Sequence, residues 1–215
     1  LRHKIITGEF YHVYNRGVDK RIIYNDHYDS ARFLESMREF NVVESVDSIQ
    51  SVRKHNRVRD RGPTSNRLVN VVSYCLNPNH FHFLLEQIEE GGISEFMKRI
   101  GCGYTLFFNK KYSRSGALFQ GKYKYKHIPS DDYLKYLSVY VNLNDKVHNL
   151  HRDRGWTSIS SYAQYIDLKK SRDRYDVENK EAVLSLFKSI NAYRRYSEEV
   201  LVDIILNKKK YKGML

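Results

Sequence analysis

The order of periodic segments predicts an α+β protein of ferredoxin-like type: an antiparallel sheet with helices on one face, followed by a C-terminal helical extension. Three observations carry this. Strand-like runs at 10–14, 68–76, 81–87 and within 116–127 interleave with helical patterns in the order β-α-β-β-α-β-α. The apolar spacing switches between a period of two and one of about 3.6 residues. The turn Asn77-Pro78-Asn79 joins the two middle strands closely enough to make them antiparallel neighbours.

Phe10-Tyr11-His12-Val13-Tyr14 is rich in β-formers and stops at Asn15-Arg16-Gly17. Asn25 or Asp26 then caps a helix whose apolar positions are Ala31, Phe33, Leu34, Met37 and Phe40. From about Glu44 to Arg67 no apolar period survives, and Arg53, Lys54, Arg57, Arg59 and Arg61 crowd together beside Gly62-Pro63. That stretch reads as a long basic loop, either a surface insertion or a phosphate clamp. Ser94 to Asn109 is helical through Phe96, Ile100 and Phe107. In the strand before His127, Lys122, Lys124 and Lys126 alternate with Tyr123, Tyr125 and His127, so one face meets phosphates while the other packs or stacks. Ser130-Asp131-Asp132 starts a helix that runs to about Leu143. Beyond His151 come Trp156, a helix near Glu178–Tyr193 and another opened by Ser197.

The chain has 215 residues, with 37 Lys+Arg against 25 Asp+Glu and a net charge of +12. Hydrophobic residues at 41% and charged residues at 29% describe a folded protein, not a disordered one. No apolar run approaches the roughly 18 residues of a membrane span, and Leu1-Arg2-His3-Lys4 has no signal-peptide pattern. Two cysteines, Cys75 and Cys102, are too few for a disulfide framework or a zinc knuckle, which points to a reducing cytosol. The positive charge calls for a polyanion, most simply nucleic acid. The 18 Tyr and 10 Phe among the cations suit unpaired bases, although half-buried core tyrosines give the same composition.

Two constellations carry chemistry. In His80-Phe81-His82 the imidazoles fall on one strand face, able to meet one cation, while Phe81 and Phe83 point into the core. His-x-His pairs also arise on ordinary sheet surfaces, and two histidines leave a metal site short of a third ligand. Tyr136, Tyr140 and Asn144, spaced by four, line one helix face that can oppose those histidines. The same tyrosines, with Tyr133, also fit a plain core stripe.

These segments together resemble a known family. Phe10-Tyr11-His12-Val13-Tyr14-Asn15-Arg16-Gly17 is similar to the "YHVxNRG" opening of single-tyrosine transposases of the HUH endonuclease class, most of all the REP-associated tyrosine transposases. Asn77 to Leu85 resembles their "MPNHxHLLL", Leu118-Phe119-Gln120-Gly121-Lys122-Tyr123 their "LWQGRY", and Tyr136 to Asn144 their "LRYIxLNP". Trp156 to Tyr162 is similar to their "WxxSSYxxY". The likeness covers about residues 8–165, in order and in spacing. It implies a transposase domain of HUH fold over 1–165, with the basic insertion at about 44–67, and an extension over 166–215.

By this resemblance His80 and His82 are metal ligands, Asn144 is a third, amide-type ligand, and Tyr140 is the nucleophile, with Tyr136 its rival. The implied cofactor is Mg²⁺ or Mn²⁺, a ligand set that does not exclude zinc. The implied reaction cleaves single-stranded DNA near hairpin (palindromic) elements through a 5′-phosphotyrosine and then rejoins strands, without ATP. Arg16, Lys122, Lys124 and Lys126 are candidate backbone contacts. The implied setting is cytoplasmic and nucleoid-associated in a prokaryotic-type cell, away from membranes, as monomer or homodimer. The alternative is a domesticated binder of hairpin or single-stranded nucleic acid that has lost the chemistry. A replication initiator or relaxase would share the site but not the motifs at 10–17 and 118–123. Three departures stand out: Asp145 replaces the family's proline, the basic stretch 44–67 is longer than usual, and the tail from about 166, with its lysines at 208–212, matches no motif.

Overall fold

The computed structural model describes residues 4–44, 66–148, 158–166 and 175–207. Residues 45–65 of the basic stretch, Trp156, and Lys208, Lys209, Lys210 and Lys212 lie outside them. Five strands form one antiparallel sheet: β1 (Phe10–Arg16), β2 (Val69–Asn77), β3 (His80–Gln87), β4 (Lys124–Ile128) and the short β5 (Ile159–Ser160). Their spatial order is β4-β1-β3-β2-β5.

The helices begin where the sequence offers caps. Asp26 accepts a hydrogen bond from the Asp29 amide to open α1 (His27–Phe40), and Ser130 accepts from Tyr133 to open α3 (Asp131–Asn142). Between them α2 (Gly92–Lys111) packs across α1. A Cβ on Gly103 would sit 2.6 Å from the Phe40 ring, so glycine sets how closely these two helices approach. After α3 come α4 (Asn144–Val147), α5 (Tyr162–Ile166), α6 (Glu181–Leu184) and α7 (Ile190–Leu206).

The antiparallel α+β sheet is as expected, but its helices lie on both faces and not on one. Phe81, Phe83 and Leu85 of β3 join Phe33, Phe96 and Tyr104 in a core beneath α1 and α2. Leu84 of the same strand joins Leu134, Leu137, Tyr165 and Tyr193 in a second core beneath α3, α5 and α7. Apolar residues at both parities of a strand leave two faces that water would otherwise wet, and each needs its own helical layer.

The C-terminal helices also differ from expectation. Residues 178–193 are not one helix, because the chain leaves α6 after Leu184 and restarts at Ser189, which caps α7 by accepting from Ala192. Ser197 lies buried inside α7 and opens nothing: its hydroxyl donates to the Tyr193 carbonyl one turn back. Through α7, Tyr193 reaches α3, where its hydroxyl accepts from the Asn142 carboxamide at 3.0 Å.

Candidate active site

Register brings the chemistry to one place. Opposed residues of an antiparallel pair share a face. His82 is opposed by Tyr14 on β1 and by Cys75 on β2, and His80 by Arg16 and by Asn77. Lys126 opposes His12 and Lys124 opposes Tyr14. These residues therefore floor one side of the sheet, and α3 crosses above with Tyr140 facing down. Phe81 and Phe83 point to the opposite core, as the alternation requires.

Three segments lock the near end of this floor. The Gly17 amide donates to the Asn79 carbonyl, Val18 to Leu118, and Gln120 to Arg16. A side chain on Gly17 would put its Cβ 2.3 Å from the Arg21 carbonyl oxygen, so the close turn excludes any other residue. The segments around 17, 79 and 119, far apart in sequence, are thus hydrogen-bonded neighbours.

His82 is buried, and its Nδ1 lies 2.8 Å from Nε2 of buried His12. That bond occupies one ring nitrogen and leaves Nε2 of His82 outside it. His80 donates from Nδ1 to Asn79 Oδ1, a pure acceptor, at 2.6 Å, so in the neutral ring Nε2 carries the lone pair. Burial, the neighbouring His148 and Arg16 pull the His80 pKa down to about 4, against a smaller opposing contribution from Asn144. Burial and the Lys126 charge lower His12 to about 3. Burial and the cationic forms of its neighbours hold His82 well below the ordinary range. All three imidazoles are neutral at pH 7, the form that a metal ligand must have.

Tyr140 presents its ring edge-on to His82 and His12, with centroids 5.7 and 6.0 Å away. Its hydroxyl is buried and has no hydrogen-bond partner among the described residues. Burial raises the phenol pKa above its usual value, reinforced by Tyr136, Cys75 and Tyr14, while the nearby Asn144 carboxamide opposes the rise. Tyr136, one turn earlier, stacks parallel to Tyr133 in the half-exposed part of α3. Asn144 is fully buried, with Oδ1 3.4 Å from His80 Nε2 and an Nδ2 group lacking a partner.

No three His, Cys, Asp or Glu side chains among the described residues gather as a metal group. The fit to a divalent cation rests instead on two neutral imidazoles and a carboxamide oxygen, beside which Tyr140 Oη and the Asn144 Nδ2 donor are buried without partners. A nitrogen-and-oxygen set of this kind suits Mg²⁺ or Mn²⁺. Buried polar atoms without partners are costly and need a reason, which the acceptor oxygens of a bound substrate would supply.

Among the expected backbone contacts, Arg16, Lys124 and Lys126 stand on the histidine face, where Lys126 Nζ lies 5.3 Å from the centre of the Tyr133 ring. Lys122 precedes β4 in an exposed bend and shares no strand face with them. Of the alternate set, Tyr125 packs edge-on against Tyr11, and His127 lies tilted against Tyr11 and pairs with Glu9. On that face Tyr11 is buried, Tyr123 and Tyr125 are half-buried and His127 is exposed. Sequence reasoning missed His12, Tyr14 and Asn77. Parity along β1 and β2 marks them as sharing faces with known candidates once the strand register is in hand.

Residues 51–144 match the model of a family described as Transposase IS200 like. The matched stretch contains His80, His82, Tyr140 and Asn144. No curated protein matches the chain. Among solved structures, it is similar to one of the REP-associated tyrosine transposase bound to a REP hairpin, at 12% identity and a TM-score of 0.46, covering 83% of this chain and 98% of that one. It is also similar to a bacterial tRNA(His) guanylyltransferase (Thg1)-like protein in complex with GTP, at 11% identity and a TM-score of 0.43, covering 93% of each chain.

Proposed function

Taking residues 51–144 as an IS200-like transposase segment, we propose that the protein is a REP-associated-type tyrosine transposase that cleaves and rejoins single-stranded DNA beside hairpins. The observation that carries this reading is the buried hydroxyl of Tyr140, unpartnered and set between His82 and Asn144. In a purely structural tyrosine that position would be a liability.

Tyr140 Oη attacks the scissile phosphorus. A bond forms between that oxygen and the 5′ phosphate, the P–O3′ bond breaks, and the phenolic proton ends on the departing 3′ oxygen. Attack by a 3′-OH reverses the step and restores the phenol, so the bond energy is stored and no ATP is consumed. His80, His82 and Asn144 would hold a divalent cation, Mg²⁺ or Mn²⁺, which when bound polarises the phosphate and offsets charge developing on its oxygens. His12 holds the orientation of the His82 ring through its hydrogen bond to Nδ1. Arg16, Lys124 and Lys126 line the approach and would track phosphates next to the cleavage point.

The test is covalent trapping. Wild type and Tyr140→Phe are incubated with labelled hairpin-bearing single-stranded DNA and Mn²⁺ and separated on a denaturing gel. The expected result is a metal-dependent protein–DNA adduct in wild type and none in the variant. An adduct that survives the substitution transfers the role to Tyr136 or Tyr14. Tight binding without any adduct supports a hairpin-binding protein without chemistry.

A further inference from the structure

The carboxamide of Asn77 lies at the centre of the site and is used by none of the steps above. The side chain is fully buried at the end of β2. Its Nδ2 donates to Asn144 Oδ1 at 2.8 Å and to His80 Nε2 at 3.0 Å. One NH₂ group therefore holds the lone pairs of two residues read as cation ligands, which lie 3.4 Å apart. Its partial positive charge faces the same way that a bound cation's charge would. On the other side, Asn77 Oδ1 accepts from the Ser158 hydroxyl at 2.8 Å and, weakly, from the Cys75 thiol at 3.6 Å.

We propose that Asn77 is a further ligand of the divalent cation, delivered by a half-turn of its carboxamide. The proposal rests on the reading of His80 and Asn144 as ligands. With the NH₂ group inward, Asn77 satisfies both lone pairs in the absence of metal. After the half-turn Oδ1 faces them instead, adding an oxygen donor, and the NH₂ group faces Ser158. A hydroxyl accepts as readily as it donates, so Ser158 keeps its hydrogen bond in both states, and only the weak thiol contact is given up. Asn77, Asn144 and Ser158 come from β2, from the start of α4 and from the segment before β5, so this one carboxamide ties three distant stretches together. Ser158 acts through Asn77 and is a positioning residue.

The experiment titrates Mn²⁺ into the metal-free full chain, following free Mn²⁺ by electron paramagnetic resonance. The chains compared are wild type, His82→Ala, Asn77→Asp, Asn77→Leu and Ser158→Ala, each first checked for a cooperative thermal transition. Binding in wild type that is lost in His82→Ala supports the site itself. Asn77→Asp, with oxygen on both branches, should then bind at least about tenfold more tightly. Asn77→Leu, similar in volume but without a donor, should bind about tenfold more weakly. Ser158→Ala should change binding little, because Ser158 pairs with Asn77 in both orientations and its loss costs both. If Asn77→Leu binds as tightly as wild type, or more tightly, the amide is at most a competitor of the cation and the proposal is overturned. If the leucine variant fails to fold, Asn77→Asp decides: an affinity equal to wild type overturns it. No Mn²⁺ binding by wild type or Asn77→Asp overturns the reading of His80, His82 and Asn144 as ligands, and the role of Asn77 with it.

Discussion

The two faces of the sheet are made by the same strands and differ only in residue parity. Toward α1 and α2 the strands send Tyr11, Val13, Phe81, Phe83 and Leu85, and the rings of Phe33, Phe81, Phe83 and Tyr104 meet at centroid distances of 4.8–6.2 Å. Toward α3 the same strands send His12, Tyr14, His80, His82, Cys75 and Asn77. The first face is an aromatic core in which Tyr104 donates its hydroxyl to the Ile23 carbonyl at 2.6 Å. The second carries neutral imidazoles and an unpartnered phenol under a helix. The face toward α1 and α2 is apolar throughout, whereas the face toward α3 combines a second apolar core with the candidate chemical groups, a division that β-alternation allows without any insertion.

Substitutions at the two faces should therefore separate folding from activity. The largest effect is expected from Phe83→Ala, which empties a fully buried site on the aromatic face. It should lower the unfolding free energy by about 3–5 kcal/mol, measured by urea denaturation, while adduct formation per folded molecule stays unchanged. A loss of adduct beyond the unfolded fraction would show that the faces are coupled.

Acid should attack the histidine face. His12 is depressed in the folded state to about 3 from the ordinary 6.5. Its neutral form is thus favoured by folding, and its contribution is complete above pH 6.5 and is lost as pH falls toward the folded value. His12→Gln, which retains a hydrogen-bonding group for His82, should reduce the loss of stability between pH 6.5 and 4.5 by about 2–3 kcal/mol. Parallel urea titrations at the two pH values measure this. An unchanged difference would remove His12 from the account of acid sensitivity.

The finest comparison uses a single oxygen. Tyr104→Phe breaks a buried hydrogen bond and should cost about 1–2 kcal/mol, whereas Tyr140→Phe removes an orphaned hydroxyl and should be neutral or stabilising by up to about 1 kcal/mol. Opposite signs in thermal unfolding sharpen the contrast. A clear destabilisation by Tyr140→Phe would mean that its hydroxyl has a structural partner.

Much of the site was legible because its signals are local. The two-residue spacing of His80 and His82 survives any choice of register, and so does the four-residue spacing of Tyr140 and Asn144. Ser197 misled because serine inside a helix, bonded to the carbonyl of Tyr193, looks in sequence like serine opening one. Lys122 misled because alternation was extended past the point where β4 begins, at Lys124.

The sequence by itself determined the order of the four main strands and of the helices up to about Leu143, the basic character and the pairs of chemical residues lying within a few positions of each other. Periodicity and capping arise between near neighbours in the chain and need no fold to be read. Only the tertiary structure decided that helices cover both faces, that His12 meets His82 across 70 positions, and that Asn77 meets Asn144 across 67 and Ser158 across 81. Those meetings depend on strand register and on the seating of α3 over the sheet. Both are settled by the joint burial of two apolar cores, and a shift of one residue would send every imidazole to the opposite face.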